Sequence, residues 1–260
     1  MCENCGCGNG GGDVKIGAHP HEHEHPHDHG HGHSHGPQTV DLNRSLMEKN
    51  ALLAGRNRGF FSAKKLLVLN VVSSPGSGKT TFIRETAARL GERLRVGVIV
   101  GDLATDNDAE RLRATGIPVV QITTGTVCHL DADMVSKAAS QLELDKLDVL
   151  VIENVGNLVC PADYDLGEDL RVVLLSVTEG EDKPLKYPPM FHSAHVAIVT
   201  KTDMSSAAGF NRDLALGNLR RVSHHARIFE LSAKTGDGMT AWLDFLVDQS
   251  AAAKRKSVAQ

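Results

Sequence analysis

The 260-residue chain has no apolar run approaching the ~20 residues that a membrane-spanning helix needs. Its first residues also lack the basic-then-apolar layout of a signal peptide. Both absences predict a soluble, cytoplasmic protein without a membrane partner. Basic excess is missing too: the formal net charge is −4 and only Lys254-Arg255-Lys256 forms a basic run, so no nucleic-acid partner is expected. Nor is there a disulfide framework. The cysteines, Cys2, Cys5, Cys7, Cys128 and Cys160, are odd in number, and in a reducing compartment such thiols serve better as thiolate ligands. No internal repeat is visible.

What is present divides by composition. Residues 1–37 hold Gly, His, Pro, Cys and acidic residues with almost nothing apolar, so this tail is predicted to be disordered without metal. Residues 38–63 carry Leu42, Leu46, Leu52 and Leu53 at roughly helical spacing, with Gly55 read as the helix stop; this helix should pack on the domain C-terminal to it. Residues 64–250 have the length of one α/β catalytic domain, and residues 251–260 are expected to form a disordered end.

From Leu66 on, β-rich apolar runs alternate with helix-like segments, the pattern of a mostly parallel sheet flanked by helices. Strands are predicted at 66–72, 96–100, 119–122, 149–152, 172–177, 196–199 and 228–231. Helices are predicted at 80–90, 108–115, 131–142, 211–222 and 239–247.

The loop after the first of these strands, Ser73-Ser74-Pro75-Gly76-Ser77-Gly78-Lys79-Thr80-Thr81, reads as a phosphate-binding loop. Gly76 and Gly78 let backbone N–H groups wrap phosphate oxygens, with Ser77 and Thr81 in the same cradle. Lys79 neutralises the β and γ charges, and the Thr80 hydroxyl can ligate Mg²⁺. Ser73 stands where the usual pattern has Gly. Thr200-Lys201-Thr202-Asp203 resembles the guanine-reading Asn-Lys-x-Asp element of GTPases, with Thr200 in place of Asn. Asp203 can accept from the guanine N1 and N2 donors, and the Lys201 stem can cover the ring. Ser232-Ala233-Lys234 matches the Ser-Ala-Lys loop that meets the same base, so GTP is favoured over ATP. Asp102 and Glu153 end strands at the carboxyl edge of the sheet and are candidates for holding Mg²⁺ or orienting its waters. Gly156 can meet a γ-phosphate through its N–H.

Two kinds of metal donor accompany this engine. Cys128-His129 and Cys160, the latter four residues beyond Gly156, form a thiolate and imidazole set suited to Zn²⁺ or Ni²⁺. In the tail, Cys2, Cys5 and Cys7 place three thiolates within six residues, enough with a nitrogen for a square-planar Ni²⁺ set. The imidazoles of His19, His21, His23, His25, His27, His29, His31, His33 and His35, mostly neutral near pH 7, offer many weak overlapping sites that fit storage. Nucleotide-driven metal delivery is the function these features imply together.

Three segments carry a family resemblance: Cys128-His-Leu-Asp-Ala132, Glu153-Asn-Val-Gly-Asn-Leu-Val-Cys-Pro161, and Ser176-Val-Thr-Glu-Gly-Glu-Asp-Lys-Pro-Leu-Lys-Tyr-Pro188. Over residues 40–248 the chain resembles the HypB family, the nickel-incorporation GTPases of [NiFe]-hydrogenase maturation. The resemblance implies a SIMIBI-class P-loop fold, slow GTP hydrolysis, and a homodimer controlled by nucleotide or metal. It also implies delivery of Ni²⁺ to the hydrogenase large-subunit precursor, with a HypA-type accessory protein as partner. By the same resemblance Cys128, His129 and Cys160 are the G-domain site for Ni²⁺ or Zn²⁺, and Cys2, Cys5 and Cys7 the high-affinity nickel motif. Two alternatives remain open. One is a urease-type GTPase, whose Cys-Pro-His motif differs here because Ala162 follows Pro161. The other is a nickel storage protein with a regulatory nucleotide domain.

Overall fold

The computed structural model describes residues 15–16, 38–104 and 106–256. In chain order the elements are β1 (Lys15–Ile16), α1 (Gln38–Ala63), β2 (Leu67–Ser73), α2 (Lys79–Leu90), β3 (Val96–Asp102), α3 (Asn107–Arg113), β4 (Val119–Thr123), α4 (Ala132–Ala139) and β5 (Val149–Glu153). Next come β6 (Leu170–Ser176), α5 (Lys183–Lys186), α6 (Pro188–His192), β7 (Val196–Thr200), α7 (Arg212–Val222), β8 (Arg227–Glu230) and α8 (Met239–Lys256). Strands β2 to β8 form a parallel sheet in the order β4-β3-β5-β2-β6-β7-β8, and β1 adds a two-residue antiparallel piece beside β4.

The sheet is parallel because strands β2 to β7 are largely buried on both faces and helices cover both, while β8 forms a half-exposed edge. Along β2, Leu67, Leu69 and Val71 pack with Phe82 and Trp242 on one side, while Val68 packs with Phe61, Leu130 and Val135 on the other. Trp242 is fully buried and its Nε1 donates to Thr86 Oγ1 at 3.1 Å, which joins α8 to α2 and satisfies the indole.

Three expectations are corrected. Helix α1 does not stop at Gly55 but continues to Ala63. Gly55 keeps a negative φ, and tertiary anchors beyond it outweigh its helix cost of about 1 kcal/mol. Asn57 Nδ2 donates to the Ala132 carbonyl at 2.8 Å and the Leu166 carbonyl at 3.1 Å, and Phe61 is buried. Residues 251–256, expected as part of a disordered end, extend α8, and Lys254 Nζ bonds Asp148 Oδ1 at 2.8 Å. The Arg95 guanidinium and Lys254 hold the Asp148 carboxyl well below the usual range. Third, Lys15–Ile16 of the tail pairs with β4; the rest of residues 1–37, with the expectation of disorder, lies outside the described residues. The short helices α5 and α6, each with proline in its first turn, were not foreseen. Among the described residues no helix is long and apolar enough to cross a membrane.

Candidate functional site

Strand β2 ends at Ser73 and α2 begins at Lys79, so residues 74–78 must reverse direction within one turn. Gly76 (φ 75°) and Gly78 (φ 96°) supply the left-handed conformations that this needs. The loop is tied internally: Ser77 Oγ bonds Ser73 Oγ and the Ser74 carbonyl, and Lys79 Nζ donates to Ser73 Oγ at 3.1 Å. Ser73, the departure from the usual glycine, thus helps to position the lysine. Gly156 lies against the loop so closely that a Cβ there would stand 3.1 Å from Pro75 Cα.

These elements line a cavity of roughly 330 Å³ that takes in Gly76, Gly78, Lys79, Thr80, Thr81, Asp102, Glu153 and Gly156. Register explains the convergence, since Glu153 ends β5 opposite Val71 of β2 and Val100 of β3, and β2 continues into the loop. Glu153 is 2% exposed and accepts from Thr80 Oγ1 at 2.7 Å; its Oε2 is buried without a partner. Burial pushes its carboxyl up to about 7, against the opposing pull of Lys79 and Thr80, and burial pushes the Lys79 ammonium down. An unpartnered carboxylate oxygen beside a hydroxyl, with Asp102 across the cavity, is an oxygen set that fits Mg²⁺. Asp108 and Arg111 of α3 also line the cavity, with Arg111 Nη1 3.2 Å from Asp108 Oδ1, and were not singled out in the sequence. Their i,i+3 spacing just beyond Asp102 was the available signal.

The expected base-reading residues gather at the other end of the loop. Ser232 Oγ donates to Asp203 Oδ1 at 2.6 Å and accepts from Thr235 N, so the Ser232-Ala233-Lys234 segment and the Asp203 segment meet directly. Lys201, in a left-handed conformation, reaches the Gly76 carbonyl at 2.7 Å. Thr200 Oγ1 donates to the Ser77 carbonyl at 3.3 Å, so a threonine makes the tie between this segment and the phosphate loop.

The third group is soft. Cys128, His129 and Cys160 come from the loops after β4 and β5, and their ligand atoms lie within 4.8 Å of one another; among the described residues no other such set occurs. Neither cysteine is in a disulfide, and Cys128 Sγ donates to Cys160 Sγ at 2.8 Å. His129 is buried, stacks on Tyr164 with centroids 3.8 Å apart, and keeps its Nδ1 unpartnered; burial lowers its basicity, which leaves the imidazole a neutral donor. Two thiols and a neutral imidazole converging in this way fit Ni²⁺ or Zn²⁺. Cys2, Cys5, Cys7 and the nine tail histidines lie outside the described residues.

Buried polar groups run between the cavity and this triad. Asn154, next to Glu153, accepts from Leu130 N (3.3 Å) and donates to Asn70 Oδ1 (3.2 Å); Asn70 donates to Glu168 Oε1 (3.1 Å). Glu168 pairs with Arg171, whose guanidinium clamps the Ala162 and Tyr164 carbonyls just beyond Cys160, both at 2.8 Å. Asn157 Nδ2 reaches the Cys128 carbonyl at 3.3 Å. Hydrogen bonds thus run from the β5 end to the segments that bear Cys128 and Cys160.

Comparison with known proteins agrees with this geometry. The family model of the CobW/HypB/UreG nucleotide-binding domain matches residues 67–230. The chain is 50% identical over 213 residues to the hydrogenase maturation factor HypB of Escherichia coli K12, covering 82% of this chain and 73% of that one. It is 40% identical over 214 residues to the hydrogenase/urease maturation factor HypB of Helicobacter pylori, covering 81% and 88%. Among solved structures, HypB from Helicobacter pylori in complex with nickel superposes with a TM-score of 0.75 at 41% identity, over 78% of this chain and 96% of that one. HypB from Archaeoglobus fulgidus gives 0.73 at 37%, over 78% and 99%.

Proposed function

Since the chain belongs to the CobW/HypB/UreG family and aligns with HypB proteins over four-fifths of its length, we propose that it is a GTPase that delivers Ni²⁺ to a [NiFe]-hydrogenase large-subunit precursor. The observation that carries this reading is the Cys128/His129/Cys160 set, joined through Asn154 and Arg171 to the strand end that bears Glu153.

In this mechanism the phosphate loop binds the β and γ groups through its backbone, and Lys79 offsets charge that builds on the transferring phosphoryl group. Thr80, Glu153 and Asp102 would hold Mg²⁺, which when bound would supply positive charge against the negative phosphates. Asp203 selects guanine, with Ser232 fixing its carboxylate, and Lys201, Ala233 and Lys234 complete the base site. Gly156, packed on Pro75, senses the γ-phosphate, so that hydrolysis shifts the segment 156–160 and loosens Cys160 from the cation. Nickel is the cargo. The tail, with Cys2, Cys5, Cys7 and its histidines, stores it. The chain works in the cytoplasm as a homodimer with a HypA-type partner, and Zn²⁺ is the competing occupant of the triad.

The test is complementation of cells lacking their own maturation GTPase, read as hydrogenase activity. Lys79→Ala with the tail intact should leave nickel in the protein but fail to restore activity; restoration would favour the storage role instead. Urease activity assayed in the same cells separates the urease-type alternative.

A further inference from the structure

Three more imidazoles gather at the opposite edge of the sheet from the phosphate loop. His192 ends α6, and His224 and His225 lie in the turn between α7 and β8, at the amino edge of the sheet; all three are exposed. Their ring centroids are 5.3 Å (His224–His225), 5.5 Å (His192–His225) and 6.5 Å (His192–His224) apart. The geometry points to a second transition-metal site on the folded body, formed by His192, His224 and His225, that takes Ni²⁺, Zn²⁺ or a cation of similar softness with water completing the coordination.

Three observations carry this. The first is spacing. With a metal–nitrogen bond of about 2.1 Å a bound ring's centroid lies roughly 3.2 Å from the metal, so two rings sit roughly 4.5–5.2 Å apart at cis to tetrahedral angles and roughly 6.4 Å apart when trans. A point roughly 3.4 Å from each of the three observed centroids exists, close to that metal-to-ring distance, so one cation is within reach of all three rings. The second is tautomer. The Nδ1 of His192 lies 3.3 Å from the Val222 carbonyl, which can only accept, so Nδ1 carries the hydrogen and Nε2 presents its lone pair outward. Donation of the other ring N–H to a carbonyl is the usual support of a metal-bound histidine. The third is selectivity. Neither α6 nor the 220–227 turn contributes a carboxylate, so hard cations such as Mg²⁺ find no anionic oxygen there, while imidazole suits nickel and zinc.

The ring nitrogens do not converge as the Cys128 set does, and rotation of the exposed His224 and His225 rings about their side-chain bonds closes the set. Nearby His195 is not a ligand. Its Nδ1 accepts from Arg171 N at 2.9 Å, so its lone pair is already used.

The test uses the full chain, titrated with Ni²⁺ past the capacity of the tail, then treated with diethyl pyrocarbonate and read peptide by peptide in a mass spectrometer. Acylation of His192, His224 and His225 should fall together, by roughly fivefold or more, with Ni²⁺ but not with Mg²⁺, while His195 is unchanged. Unaltered labelling of the three, or protection of only one, overturns the proposal. In equilibrium dialysis the H192Q/H224Q/H225Q variant, with wild-type circular dichroism, should bind one Ni²⁺ fewer per chain; equal stoichiometry also overturns it. Should that variant fail to fold, the labelling of the wild type decides alone.

Discussion

The phosphate loop and the cysteine–histidine triad share the carboxyl edge of one sheet but are built in opposite ways. The loop is contiguous, residues 73–80, and its fold depends on local backbone conformation, with Gly76 and Gly78 both at positive φ. The triad joins loops whose cysteines are 32 residues apart, and its donors are side chains, with Cys160 and His129 buried, Cys128 partly so, and Tyr164 stacked on the imidazole. One site suits a hard, highly charged ligand; the other, with thiolate and imidazole donors, suits a soft cation. Strand β5 borders both, with Glu153 at its end lining the phosphate-loop cavity and Cys160 beyond it in the Cys/His set. On the proposed mechanism a single displacement there changes both occupants.

Two variants that each remove one site separate the pair most widely. Lys79→Ala should reduce GTP hydrolysis by roughly 10²–10³-fold while leaving metal at the triad. The Cys128→Ser/Cys160→Ser chain should lose metal affinity at that site by more than about a hundredfold, beyond what loss of a supporting partner costs, while metal-free hydrolysis is unchanged. Phosphate-release assays and dialysis of residues 38–260 check both halves.

Asp203→Asn is expected to weaken GDP by roughly tenfold or more and to raise affinity for xanthosine diphosphate, since the site then lacks the acceptor pair guanine needs. Calorimetry reads this, and metal binding at the triad should not follow. A smaller effect is expected on the other side: Tyr164→Leu should cost roughly tenfold in metal affinity, because the ring that orients His129 is lost, whereas Tyr164→Phe should retain it. Competition with a chromophoric chelator resolves the two.

The mildest signature is a pH slope. Glu153 has its carboxyl raised from 4.5 to about 7 by burial, so between those values the native state holds a proton that the unfolded chain has released. Stability against urea should therefore fall as pH rises from about 4.5 to about 7 and then level off. Glu153→Gln should remove that part of the slope, and an unchanged slope would place the titrating group elsewhere.

The inner parallel strands were legible because both faces of each are buried, which leaves runs such as Val149–Ile152 and Val196–Val199 unbroken by polar residues; β8 at the edge is half-exposed. The phosphate loop was equally plain, since its function depends on local backbone geometry. Cys128 and Cys160 were grouped from their donor type and from Cys160 lying just beyond Gly156, and the motif resemblance supported the pairing; their convergence itself comes from the sheet order β4-β3-β5, which brings their loops together and which sequence spacing does not show. The Asn70–Asn154–Glu168–Arg171 chain was invisible. Asn70 looks like an interruption of an apolar strand, and its partner Glu168 lies 98 residues away. Gly55 misled for a related reason: anchors at Asn57 and Phe61, made to distant segments, carry the helix past it.

If the nucleotide and metal sites are linked through the end of β5, each must report the other's occupant. Affinities for GDP and for a non-hydrolysable GTP analogue, measured by calorimetry on the full chain with and without Ni²⁺ and repeated on the Cys128→Ser/Cys160→Ser variant, show whether they do. Linkage requires that nickel change the ratio of the two affinities by the factor by which nucleotide changes nickel affinity, and a coupling of about 1–3 kcal/mol corresponds to roughly 5- to 150-fold. The prediction is a shift of that size in the wild type that disappears in the variant. The same ratio with and without nickel would contradict the link through β5.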